Sequence, residues 1–216
     1  MIRFAENKNI SFLWERLKNG DQDSLSSIFK YYYDDLYLFG IKMMNQPDLV
    51  KDSIQDVFVR IWERRSTLGD VKSPKAYLIA AVRRKLLLNK EQFNQEVNHR
   101  DGLFDYASNF SFSISEFKEN EEISKQLKTL FHEAINALPE RQRELIFLRF
   151  YYNLKYTEIA VIMEVNEQSI KNLMQRALSN LREKISSQLW NEIDDMDELL
   201  MVLFIFFKKK SNLPST

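Results

Sequence analysis

Cysteine is absent from the 216 residues, which excludes a disulfide framework, thiolate metal sites and a thiol nucleophile. The two histidines, His99 and His132, lie far apart and argue against a zinc site built on imidazoles. Only four glycines occur (Gly20, Gly40, Gly69 and Gly102), and no two are close enough to form a phosphate-cradling loop. With four prolines beside them, turn-forming residues are too few for a β-rich fold, so helices are favoured. Met1 to Lys18 is amphipathic and lacks the apolar core of a signal peptide. The longest apolar run, Leu199 to Phe207, has nine residues, against the roughly 20 needed to cross a bilayer. A soluble cytoplasmic protein is expected. No triad, metal cluster or phosphate loop can be assembled, so no catalytic site, no cofactor and no small-molecule substrate are expected.

The chain is neutral, with 31 Lys and Arg against 31 Asp and Glu, yet the charge is segregated. Residues 21–56 carry seven acids and three bases. Residues 60–90 carry nine bases and two acids, a local excess of +7. Residues 101–133 are acidic again, with seven acids and three bases. Any one such run could be a solvated helix face. The alternation instead points to a polyanion on the basic side and a different partner on the acidic side.

Apolar residues at Leu25, Ile28, Phe29, Tyr32, Leu36, Phe39 and Met43 recur at helical steps, and Asn45-Gln46-Pro47 breaks the pattern. A second helix is predicted over about 48–64, with Val50, Ile54, Val57, Phe58 and Ile61 facing inward. After a loop over 65–72, Ser73 supplies a capping oxygen and Pro74 a preset first turn for a third helix reaching about Lys90. Residues 92–120 show no period and read as a linker with room for short ordered pieces around its phenylalanines. Helical periodicity returns near Glu121 and runs almost to Trp190.

The sharpest signal lies in 138–184. Pro139 opens one helix, a short helix covers 156–163, and Glu164-Val165-Asn166 makes a three-residue turn into a long helix from Glu167. This spacing fits a helix-turn-helix, with Ile159, Met163, Val165 and Ile170 as its small core, Ala160 at the close approach and Asn166 as the cap. The long helix would expose Glu167, Gln168, Lys171, Asn172 and Gln175 to base edges, and Arg176 and Arg182 to phosphates.

Two segments, in this order, resemble one family. Leu138-Pro139-Glu140-Arg141-Gln142-Arg143-Glu144 through Leu181-Arg182-Glu183 is similar to region four of bacterial extracytoplasmic-function sigma factors. Asp52-Ser53-Ile54-Gln55-Asp56-Val57-Phe58-Val59-Arg60-Ile61-Trp62-Glu63 looks like their region two. The richness in Asn, Lys, Tyr and Phe is similar to sigma factors of the Bacteroidetes type. The resemblance implies an all-α protein of two small helical domains: a region-two bundle over 1–92, a linker over 93–120, a helix-turn-helix domain over 121–186 and a C-terminal hydrophobic extension over 187–216. It implies that Asp52, Gln55, Asp56, Val59, Arg60 and Glu63 grip the clamp helices of core RNA polymerase. It implies that Lys72, Lys75, Tyr77, Arg83, Arg84, Lys85 and Asn89 serve the minus-ten DNA as it melts, although Tyr77 fits plain core packing equally well. Glu167, Gln168, Lys171, Asn172, Gln175 and Arg176 should then read the minus-thirty-five element of promoter DNA.

Two positions depart from the family pattern. Glu164 stands where glycine is common, and Leu86-Leu87-Leu88-Asn89 leaves the usual polar reader missing or shifted to Asn89. With only +2 net charge over 136–185, these features suggest weak autonomous promoter recognition and a partner that supplies part of the targeting. The extension, with Leu199, Leu203, Phe204 and Phe207 before Lys208-Lys209-Lys210, needs a cover. It suits a helix folded back on the protein itself, a docking segment for an anti-sigma factor or DNA-targeting protein, or, less well, a membrane-surface contact. A LuxR-like regulator that binds duplex DNA through its helix-turn-helix is the competing reading, and it leaves the 52–63 segment without a role.

Overall fold

Gly20 and Asp21 end the first helix and start the second, and they show how local chemistry lays out the bundle. The first helix, α1 (Ile2–Lys18), stops because Gly20 adopts φ +90°, a left-handed conformation open to a residue without a Cβ. The Gly20 and Asp21 amides then bond back to the Leu17 and Arg16 carbonyls at 2.9 and 3.1 Å, the paired closure of a Schellman motif. Asp21 next receives the Arg16 guanidinium at 2.9 Å and the Ser24 hydroxyl. The Ser24 hydroxyl above all, with the Arg16 guanidinium behind it, holds its carboxyl below the ordinary aspartate value against an opposing desolvation that outweighs the guanidinium alone.

The computed structural model describes residues 2–98, 110–113 and 125–189. It divides into two compact units, residues 1–109 and 110–216. Every element among the described residues is helical.

In the first unit, α2 (Gln22–Met43), α3 (Pro47–Glu63) and α4 (Pro74–Asn98) pack against one another, and α1 packs against α2 and α4. All five inward positions anticipated for α3 (Val50, Ile54, Val57, Phe58 and Ile61) are buried. Ser73 caps α4 weakly through the Ala76 amide at 3.4 Å. The helix continues to Asn98, past the expected end near Lys90, because no glycine or proline interrupts the chain before Gly102. Gly40 sets the spacing of α2 and α3: a Cβ there would stand 2.5 Å from Val50 Cγ1.

In the second unit, α5 (Lys125–Asn136), α6 (Glu140–Ile146), α7 (Tyr156–Met163) and α8 (Glu167–Leu189) surround a core that includes Phe131, Leu145, Ile159, Ile170 and Leu181. Beyond α6 the helix widens into a π turn, Phe147–Tyr151, whose Tyr152 amide bonds to the Phe147 carbonyl at 3.2 Å. Residues 110–113, inside the stretch that reads as linker, belong to this unit: Phe110 and Phe112 are buried and meet Phe147 at ring-centre distances of 5.4 and 5.9 Å. Residues 187–189 extend α8, and Leu199, Leu203, Phe204 and Phe207 lie outside the described residues.

The helix-turn-helix takes the anticipated form, α7, a three-residue turn and α8. Ile159, Ala160, Met163 and Ile170 are buried and Val165 is half-buried. Asn166 Oδ1 accepts the Ser169 amide at 2.7 Å, capping α8. Glu164 sits at φ 56°, ψ 44° with the Val165 amide returning to the Ala160 carbonyl at 3.1 Å, so a glutamate occupies the left-handed position of a second Schellman closure.

Two stability measurements follow from these geometries. Gly40→Ala should destabilise the first unit by about 1–3 kcal/mol through its clash with Val50, and adding Val50→Ala should relieve the clash; denaturant melts of the two variants provide the check. Glu164→Gly should stabilise the second unit by about 1 kcal/mol by removing the Cβ penalty of the left-handed conformation, raising its melting midpoint.

Candidate binding surfaces

Because α3 buries 50, 54, 57, 58 and 61, helical geometry turns 52, 55, 56, 59, 60 and 63 outward. Asp52, Gln55, Asp56, Val59, Arg60 and Glu63 are all exposed, and Val59 stands 58% open to solvent amid charged and amide groups. An apolar side chain left open amid charged and amide groups suits a contact with another protein. At the C-terminal end of α3, Arg65 lays its guanidinium over the Trp62 ring at 4.3 Å and donates to the Trp62 carbonyl at 2.8 Å. That cation–π cap follows only from the fold, since sequence reasoning gave Arg65 no role.

The basic residues of 72–89 sit on α4 and the turn before it, but they do not form one free surface. Lys72 and Arg84 are exposed. Lys75 pairs with Asp35 of α2 at 3.2 Å, and Lys85 pairs with Asp56 of α3 at 2.8 Å. Tyr77 is half-buried and meets Trp14 of α1 edge to face, with ring centres 5.6 Å apart. Asn89 donates to the Ser53 hydroxyl at 3.0 Å, and that buried hydroxyl donates to the Leu49 carbonyl at 2.6 Å, so the Asn89 amide serves the α3–α4 seam. Arg83 is half-buried. The structure adds Leu88, which is 50% exposed on α4: three successive leucines sweep more than half a turn, so one must face water.

On α8, Gln168, Lys171, Asn172, Gln175 and Arg176 form one exposed strip, with Glu167 half-buried at its start. The strip is internally satisfied. Lys171 pairs with Glu167 at 2.7 Å, Gln168 donates to Asn172 Oδ1 at 3.0 Å, and Arg176 donates to the Asn172 carbonyl at 3.3 Å. Below it, Asn180 donates to the buried Gln142 of α6 at 3.1 Å, fixing the rotation of α8 against its support. Val161, 60% exposed on α7, lies outside the anticipated set.

The segments that carry these surfaces match known families. The model for Sigma-70 region 2 matches residues 28–89 and that for Sigma-70 region 4 matches residues 128–181, together just over half of the chain. The ECF RNA polymerase sigma factor SigK of Mycobacterium ulcerans is 22% identical over 181 residues, covering 82% of this chain and 94% of its own. SigM of Bacillus subtilis, also an ECF RNA polymerase sigma factor, is 25% identical over 159 residues, covering 74% and 93%. Among solved structures, the fold is similar to the sigma factor RpoE of Bartonella quintana in complex with the anti-sigma factor NepR. The TM-score is 0.55 at 23% identity, with 76% of this chain and 98% of that chain covered. It is also similar to CnrH in complex with the cytosolic domain of CnrY, with a TM-score of 0.54 at 14% identity over 83% and 98% of the two chains. A LuxR-like regulator would leave the whole 28–89 match unexplained. With both regions present in order, each carrying an outward polar face on a buried apolar frame, the chain belongs to the ECF RNA polymerase sigma factors of the sigma-70 family.

Proposed function

We propose that this sigma factor docks on the clamp helices of core RNA polymerase through the outer face of α3 (Asp52, Gln55, Asp56, Val59, Arg60 and Glu63). The observation that carries this is the 58% exposed Val59 at the centre of that acidic and amide surface. In this reading α4 and the preceding turn take the minus-ten strand. Lys72 meets the backbone, and Arg83, Arg84, Lys75 and Lys85 add charge once their own partners yield. Tyr77 and Asn89, engaged with Trp14 and Ser53, support α4 rather than contact the strand. The α8 strip from Glu167 to Arg176 reads the minus-thirty-five element in the major groove, with Lys171, Asn172 and Gln175 offering the donors and acceptors that base edges require. The chain is assigned a binding role without a catalytic step of its own, in the cytoplasm where polymerase works. The composition supports a Bacteroidetes-type origin.

A protein partner is part of the proposal. The glutamate at the left-handed turn, the modest charge of the helix-turn-helix and the internally paired α8 strip support weak autonomous recognition. The complexes of the two structural relatives, one with the anti-sigma factor NepR and one with the cytosolic domain of CnrY, support a protein that binds this chain as well. No helix among the described residues is long and apolar enough to cross a membrane. The residues at 199, 203, 204 and 207 are offered to a partner protein rather than to a membrane surface.

A pull-down against core polymerase tests the docking face. The unaltered chain should be retained, and a variant carrying Asp52→Ala, Gln55→Ala and Asp56→Ala should lose at least tenfold in affinity, the cost of about 1.4 kcal/mol or more of contact. Equal retention of the two chains would move the polymerase contact off α3. Promoter-specific transcription by polymerase and this chain alone would remove the need for a targeting partner.

A further inference from the structure

The seam between α3 and α4 is crossed by links of two kinds, one buried and one open. In the buried link, the Ser53 hydroxyl accepts from Asn89 at 3.0 Å and donates to the Leu49 carbonyl at 2.6 Å. The open link lies one turn along each helix, where the Lys85 ammonium meets the Asp56 carboxylate at 2.8 Å, with Lys85 36% and Asp56 59% exposed. Their sequence neighbours Leu86 and Val57 are buried. Packing and the Ser53 link therefore hold the two backbones, and the ion pair can part on its flexible lysine stem without moving either helix. The two partners also belong to different surfaces. Asp56 lies on the outward face of α3, and Lys85 lies on α4 next to the exposed Arg84. The Lys75–Asp35 pair is built otherwise, because Asp35 belongs to α2, is 16% exposed and has no place on the α3 face.

We propose that Asp56 and Lys85 form an interlock between the two binding functions of the first unit: Asp56 holds Lys85 back from the nucleic-acid strand in the free chain, and Lys85 competes with polymerase for Asp56. A cation of the polymerase that takes the carboxylate releases the ammonium. A strand phosphate that takes the ammonium releases the carboxylate. Each ligand therefore favours the other, by the same factor in both directions. The strength of the pair bounds that factor. An ion pair this exposed is worth up to about fivefold in an equilibrium, so the interlock adjusts both affinities and does not gate them. Lys85 thereby influences the polymerase contact from outside the docking face. The interlock rests on the function proposed above, in which the outer face of α3 meets polymerase and α4 meets the strand.

Neutralising one partner at a time in the full-length chain tests this, with the Lys51–Asp48 pair of α3, 3.3 Å apart, as a control that carries the same charges. The first probe is a single-stranded oligonucleotide of mixed sequence, titrated at several salt concentrations and followed by fluorescence anisotropy. Asp56→Asn should tighten its binding about two- to fivefold. The same variant should steepen the log–log salt dependence by about 0.7, the value for one more phosphate neutralised. Asp48→Asn should do neither, and adding Lys85→Met to Asp56→Asn should abolish the gain. The second probe is core polymerase, titrated without DNA. Lys85→Met should tighten its binding about two- to fivefold, Lys51→Met should not, and the gain should be absent in the Asp56→Asn background. Equal effects from the two pairs, or a gain in either arm that survives the second substitution, overturn the interlock. If Asp56→Asn weakens polymerase binding while Lys85→Met changes nothing, the docking face stands and the interlock falls. If neither substitution alters polymerase binding, the proposed docking through Asp56 falls and takes the interlock with it. If none of the chains binds the oligonucleotide, the proposed strand role of α4 falls with the same consequence.

Discussion

Helix α3 has to bury one face and present the other, and the seams on either side of it fix which is which. On the α2 side the backbones approach so closely at Gly40 that Val50 fills the place of a missing side chain. On the α4 side, the buried Ser53 hydroxyl is held between the Leu49 carbonyl and the Asn89 amide. With both seams set, the rotation of α3 about its own axis is no longer free, and the six outward residues follow from the pitch of the helix. The proposed polymerase-facing surface is therefore a consequence of core packing, and it needs no separate device to order it.

Electrostatics temper the basic block that follows. Of the excess positive charge in 60–90, Lys75 is engaged by Asp35 and Lys85 by Asp56, and on α8 Lys171 is engaged by Glu167. The exposed pairs, Lys85–Asp56 and Lys171–Glu167, are each worth about 0–1 kcal/mol, weak enough to be exchanged for phosphate or for a basic partner when one arrives. Asp56 belongs to the proposed docking face while its lysine belongs to the proposed DNA surface, so a partner that captures the carboxylate leaves Lys85 to the nucleic acid. In this way a chain with no net charge still carries cations that can be released to a polyanion.

Much of this was legible in the sequence because it rests on periodicity and on local chemistry. The inward residues of α3, the Asn166 cap and the turn at 164–166 all lie within a few residues of their causes. Glutamate at 164, where glycine is common, was legible as a departure, and the left-handed φ there is what a glycine would accommodate without strain. Contacts between distant residues were not legible. Asn89 looked like a strand reader because nothing local reveals Ser53, 36 residues away, as its partner. Short ordered pieces around the linker phenylalanines were legible, but not their partner, because a Phe112 backbone held by Asn136, 24 residues on, leaves no period in the sequence. The π turn at 147–151 was hidden for a similar reason: one extra residue in a helical turn changes no composition.

The central claim is that the outward face of α3, centred on Val59, is the surface that core polymerase covers. A benzoylphenylalanine in place of Val59 tests it most directly, with the same photoreactive residue at the equally exposed Tyr31 of α2 as the control. On irradiation with core polymerase, position 59 should cross-link to the subunit that carries the clamp helices and position 31 should cross-link far less. A strong cross-link from position 31 with none from position 59 would contradict the account.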